Sequence, residues 1–149
     1  MDRRHLISGT AMTSLLVLAT GSTPLIDNYN AMNYRAIRAE VPSYVDGIKT
    51  AELAYDAAFD EFVSVPDPVP RPVAALDSRQ ESWVYETEFD TLGWAPDGMV
   101  RGTYWVEVLD DGMDYRVHGM IDSDNDGIPA HYTATKSTNA TLVTPQDVF

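Results

Sequence analysis

Four prolines at alternate positions, Pro66, Pro68, Pro70 and Pro72, fall within "VPDPVPRPV" and cut the chain into two differently patterned parts. Each proline lacks an N–H and fixes φ, so a helix cannot run through the segment and a sheet cannot hold it at its centre. Residues 65–73 are therefore expected to form a stiff connector. The N-terminal part must end there as one element, and the C-terminal part must begin another.

Before the connector the apolar spacing is helical. Tyr34, Ile37, Val41, Val45, Ile48, Tyr55, Phe59 and Phe62 recur at steps of three, four or seven and draw one stripe. The spacing predicts a long helix over about 31–65, kinked or broken near 40–43, where Pro42 removes a backbone donor. After the connector the period falls to two. In "VRGTYWVEVL" the residues Val100, Tyr104, Val106 and Val108 oppose Trp105 and Leu109, and "MDYRVHGMI" continues the pattern through Tyr115, Val117 and Ile121. "DDG" at 110–112 supplies the Asp-Gly chemistry of a hairpin turn, and "AHYTATKS" reads as a further strand. "ESWVYETEF", residues 81–89, fits either an edge strand or an irregular loop. The expected fold class is α+β: a long N-terminal helix packed on a small antiparallel β-sheet of three or four strands, at about 98–137. Ile48, Tyr55, Phe59 and Phe62 are expected to meet the sheet face bearing Val106, Val108, Tyr115 and Val117. Trp83, Trp94 and Trp105 with Tyr104, Tyr115 and Tyr132 are expected to fill that interface, with an aromatic adhesive patch as the alternative.

Charge narrows the function. A formal net charge of −13 and a pI near 4.3 argue against nucleic acid or anionic lipid headgroups as partners, since either needs a basic face to displace counterions. With no cysteine there is no disulfide, thiolate site or thiol nucleophile. No Ser-His-Asp set emerges from spacing, and the chain is expected not to be an enzyme. At the front, Arg3 and Arg4 precede an apolar run from Leu6 to about Gly21, short for a membrane span. Residues 1–21 are expected to be an export signal or a hydrophobic anchor, and residues 22–149 a single domain.

One stretch carries ligand chemistry. "DSDNDG" places Asp122, Asp124 and Asp126 at alternate positions before Gly127, the first half of a calcium loop. The twelfth position, where a bidentate Glu would close the ion, is Thr133. No cofactor is required on this pattern; calcium, held weakly by the three aspartates, is the one it allows. The alternative is an acidic β-turn whose Asp and Asn residues bond their own backbone. His5, His118 and His131 raise a transition-metal site as a weaker option.

The order of elements resembles a bacterial type IV pilin or pseudopilin over residues 30–149. The residues that carry the resemblance are "RAIRAEVPSYVDGIKTAELAYDAAFDEFV", "FDTLGWAPDG", "RGTYWVEV" and "MIDSDNDGIPAHYTATKSTNATLVTPQDVF". It implies a non-enzymatic, exported structural component of a pilus or secretion-type assembly, in the periplasm, tethered to the inner membrane by its N-terminal segment, or at the cell surface. Tyr34, Ile37, Val41, Ile48, Tyr55, Phe59 and Phe62 would form the assembly helix, with other pilin-like subunits or copies of itself as partners. The prepilin cut-site Gly and the "GFTLIE"-like run after it are missing from residues 6–23, so a principal filament subunit is not expected. The alternative is a soluble periplasmic or secreted calcium-dependent binding module of the same fold.

Overall fold

The computed structural model describes residues 24–149. Two helices open it, α1 at Pro24–Arg38 and α2 at Glu40–Phe59. The junction is Ala39, itself helical at φ −62° and ψ −14°. It lies where Pro42, three residues on, cannot donate to the Arg38 carbonyl. The helical region thus starts earlier than 31 and stops well before 65. It ends at Asp60, whose left-handed backbone (φ 58°, ψ 37°) turns its N–H onto the Asp56 carbonyl at 2.8 Å.

The sheet has five antiparallel strands in sequence order: β1 Val65–Val69, β2 Thr103–Leu109, β3 Asp114–Ile121, β4 Ala130–Thr135 and β5 Thr141–Leu142. Three or four strands were expected, and the proline segment accounts for much of the difference. Instead of a connector it forms edge strand β1, with Val65 opposite Val106, Val69 opposite Tyr104 and an irregularity between. Proline is tolerated there because an edge strand pairs on one side only. The two-residue β5 is too short for alternation to announce it. "ESWVYETEF" contributes a single bridge, Glu81 to Val100, and then the short helix α3, Glu88–Thr91. The β2–β3 turn is built as its sequence implies, with Asp110, Asp111 and Gly112 all at positive φ.

The core lies between α2 and one sheet face. Val41, Val45 and Ile48 are fully buried with Tyr104, Val106, Tyr115, Val117 and Ile121. The expected sheet face is therefore the one used, with Val108 half-buried at its rim. Gly119 sits directly under the helix: a Cβ there would lie 2.6 Å from the side chains of both Val41 and Val45. The helix end differs from expectation. Phe59 is 63% exposed and packs on Tyr55, ring centroids 4.5 Å apart, because α2 overruns the sheet. Phe62 reaches the core from beyond the helix, against Tyr115 at 4.7 Å. Glu52, not an apolar residue, fills the stripe between Ile48 and Tyr55 and is fully buried.

Around one end of the core, Trp83, Phe89 and Trp94 interlock with Tyr104 at centroid distances of 5.3 to 6.4 Å. Arg71 pins the loop that carries them. Its buried guanidinium bonds Asp77 Oδ1 at 3.0 Å and the carbonyls of Arg79 and Arg101 at 2.7 and 2.8 Å.

Candidate functional site

The first candidate is the free part of α1. Leu25, Ile26, Tyr29 and Met32 are 55 to 80% exposed. At spacings of one, four and seven they lie on one helical face. Among the described residues, only the C-terminal end of α1 is tied to the rest of the fold, the α+β head formed by α2 and the sheet. Tyr34 packs on Phe149 at 5.7 Å, Ser123 Oγ donates to the Tyr34 carbonyl at 3.2 Å, and the buried Arg38 guanidinium donates to the carbonyls of Gln146 and Val148. Arg35 and Arg38 also lie over the Phe149 ring, at 5.6 and 5.2 Å.

The residues expected to form the assembly helix have other duties. Val41 and Ile48 are fully buried under the protein's own sheet, and Ile37 and Phe62 pack at its margin. Tyr34 and Tyr55 are half-buried, and Phe59 alone of the set is mostly exposed. The apolar face left uncovered is one that sequence spacing did not single out, because the stripe read from it began at Tyr34. The signal was present in "PLIDNYNAM", where the apolar spacing runs on toward the N-terminus. Among the described residues no helix is long and apolar enough to cross a membrane. The expected export signal or anchor at 1–21 and His5 lie outside the described residues.

The second candidate is the loop between β3 and β4. Asp122, Asp124 and Asp126 each bring a carboxylate oxygen within 4.8 Å of the others. Asp122, almost wholly buried, accepts from the Asp126 and Gly127 N–H groups at 3.2 and 2.9 Å, and Asp126 accepts from Ile128 N–H at 2.8 Å. Asn125 and Gly127 take positive φ, 61° and 85°. The Asp126 bond is that of an Asx-turn and the Asp122 bonds close the wider loop, so the loop holds its shape through the same aspartates. Asp124 Oδ1 is buried with no hydrogen-bond partner. Burial first, then the charges of Asp126 and Asp122, push the Asp124 carboxyl above its ordinary range. Three hard oxygens suit calcium, and Asp124 brings one that the turn does not use. Thr133 is drawn into β4 opposite His118 and belongs to the sheet rather than to the loop.

The third lies on the outer sheet face, away from α2. His118 and His131, two of the chain's three histidines, meet there with Nδ1 and Nε2 3.0 Å apart. Trp105 stacks on His118 with centroids 4.5 Å apart and planes within 1°. Burial lowers both imidazoles; for His131, His118 and the positive Arg116 add to the effect and bring it to about 4. Trp105, expected with the other aromatics in the helix–sheet interface, lies here instead: alternation puts it on the face opposite Val106, and the cross-strand register, Trp105 opposite His118 and Glu107 opposite Arg116, brings the group together.

Compared with known proteins, this chain matches no family model, no curated protein and no solved structure.

Proposed function

We propose that the protein is a non-enzymatic structural subunit of pilin-like type, which associates with copies of itself or with similar subunits through α1. One observation carries this reading: a helix anchored to the head at one end leaves Leu25, Ile26, Tyr29 and Met32 uncovered. Apolar residues grouped on one face gain by being buried against a partner, at roughly 25 cal/mol per Å² removed from water. Export, with the N-terminal segment as signal or tether, belongs to the same reading. The test is association of the full chain, by light scattering after size exclusion and by a photo-crosslinker at Met32. Oligomers crosslinked through Met32 are expected, and the double variant Ile26→Glu, Tyr29→Glu should dissociate them without loss of melting temperature, since neither residue touches the core. A parent chain that stays monomeric at high concentration, or a variant that associates equally well, would refute it.

A second reading, a soluble calcium-dependent binding module, is favoured by the three converging carboxylates with Asp124 Oδ1 unpartnered. Calcium held by the folded chain should raise its melting temperature at millimolar concentration by mass action. The double variant Asp124→Asn, Asp126→Asn should abolish that rise. A parent melting curve that calcium does not move leaves the loop as a turn.

A further inference from the structure

We propose that His118 and Glu107, on the outer sheet face, form a binding site for a divalent transition-metal ion of the kind imidazole favours, zinc or copper(II). His118 is 9% exposed, and its Nε2 is buried without a hydrogen-bond partner. The nearest charged oxygen, Glu107 Oε2, stands 3.6 Å away, beyond hydrogen-bond length. The other ring nitrogen is already engaged. The His118 and His131 ring centroids are 5.2 Å apart, with the planes at 16°, so the two rings meet nearly edge to edge and share one proton.

With that proton on His118 Nδ1, donated to His131 Nε2, the lone pair of His118 Nε2 faces the carboxylate. Two acceptors then confront each other across a gap that a cation would fill. Metal–nitrogen and metal–oxygen bonds of about 2.0–2.1 Å spanning 3.6 Å subtend about 120° at the ion, close to the tetrahedral or trigonal range. His131 takes the part of the outer partner that fixes a ligating ring's tautomer. Trp105 covers one side of the His118 ring, and a groove of about 310 Å³, lined by Ser64, Pro66, Trp105, Val106, Glu107 and His118, leaves room for water ligands. Arg116 Nη1 lies 3.8 Å from the same Glu107 oxygen and is the competing cation; being 44% exposed, it is free to swing away.

The experiment uses the untagged full chain near pH 7.5, with zinc titrated calorimetrically and copper(II) followed by quenching of tryptophan fluorescence. One equivalent should bind, and copper should quench the Trp105 part of the emission, identified as the signal lost in Trp105→Phe. His118→Gln should abolish binding, Glu107→Gln should weaken it about tenfold, and Arg116→Gln should strengthen it. His131→Leu should weaken it at least tenfold, while His131→Gln, which keeps an acceptor for Nδ1–H, should restore most of it. Asp124→Asn, Asp126→Asn should leave it unchanged, so this site and the acidic loop fail or succeed separately. No binding at millimolar metal, or binding that survives in His118→Gln, would overturn the proposal. Should His118→Gln not fold, Glu107 is half-exposed and its variant decides: unaltered affinity in Glu107→Gln would equally overturn it.

Discussion

Gly119 stands on β3 beneath α2, where two valine side chains leave no room for a methyl group. Gly119→Ala should cost about 1–3 kcal/mol in a denaturant titration, since the helix must lift or Val41 and Val45 must leave their rotamers. An unchanged midpoint would mean that the helix rides higher above the sheet than this contact allows. Glu52 is the second residue on which stability turns. Burial, together with the nearby Asp56 charge and against the bond from Val63 N–H, raises its carboxyl from 4.5 to about 7. The folded state then holds the proton more tightly than the unfolded chain. Its contribution is at full strength below about pH 4.5, falls as pH rises through 7, and is gone above that. The difference amounts to about 3 kcal/mol. Urea titrations at pH 5 and pH 8 should show this loss in the parent and a flatter response in Glu52→Gln; an equal slope in both would assign it to other groups. Sequence spacing places position 52 on the buried stripe, but an acidic residue reads as surface until the packing around it is known.

At the scale of elements, Ile48 and Phe59 belong to the same stripe and should behave differently. Ile48→Ala should cost about 2–5 kcal/mol, as for a fully buried aliphatic side chain. Phe59→Ala should cost about 1 kcal/mol or less, because the side chain is mostly exposed and its aromatic partner is the half-buried Tyr55 ring. Similar losses at both positions would put the helix end under the sheet after all. Periodicity specifies which side of a helix is apolar, but not where the sheet beneath it stops. The same limit explains the strands. β2, β3 and β4 are legible from alternation, and so is the buried face, which carries Val106, Tyr115 and Val117. β1 is not legible, since prolines at every second position hide the pattern, and the two residues of β5 are too few to show one. Of the candidate sites, the aspartate loop is continuous in sequence and therefore visible. Glu107 and His118 become neighbours only through strand register.

For the molecule as a whole, an α+β head with a helix partly free of it follows from a chain whose apolar period changes once, at the prolines. The net charge of −13 is spread over a surface that repels its own copies at low ionic strength. Association between copies at low ionic strength would need a local apolar match strong enough to overcome that repulsion. The ends of the sheet restrict where such a match can form. β1 carries Pro66 and Pro68, which together withhold two N–H donors from a five-residue strand, and Asp67 between them adds a charge. At the opposite rim β5 offers two residues. An exposed strand edge is the usual template on which one protein's sheet grows into the next, and proline, charge and brevity are the means of blocking it. Both rims of this sheet are blocked by those means. The protein is thereby protected from the route that leads to cross-β fibrils, and a polymer built from it would be ordered by its helices, with the sheets carried outside as separate, unjoined units.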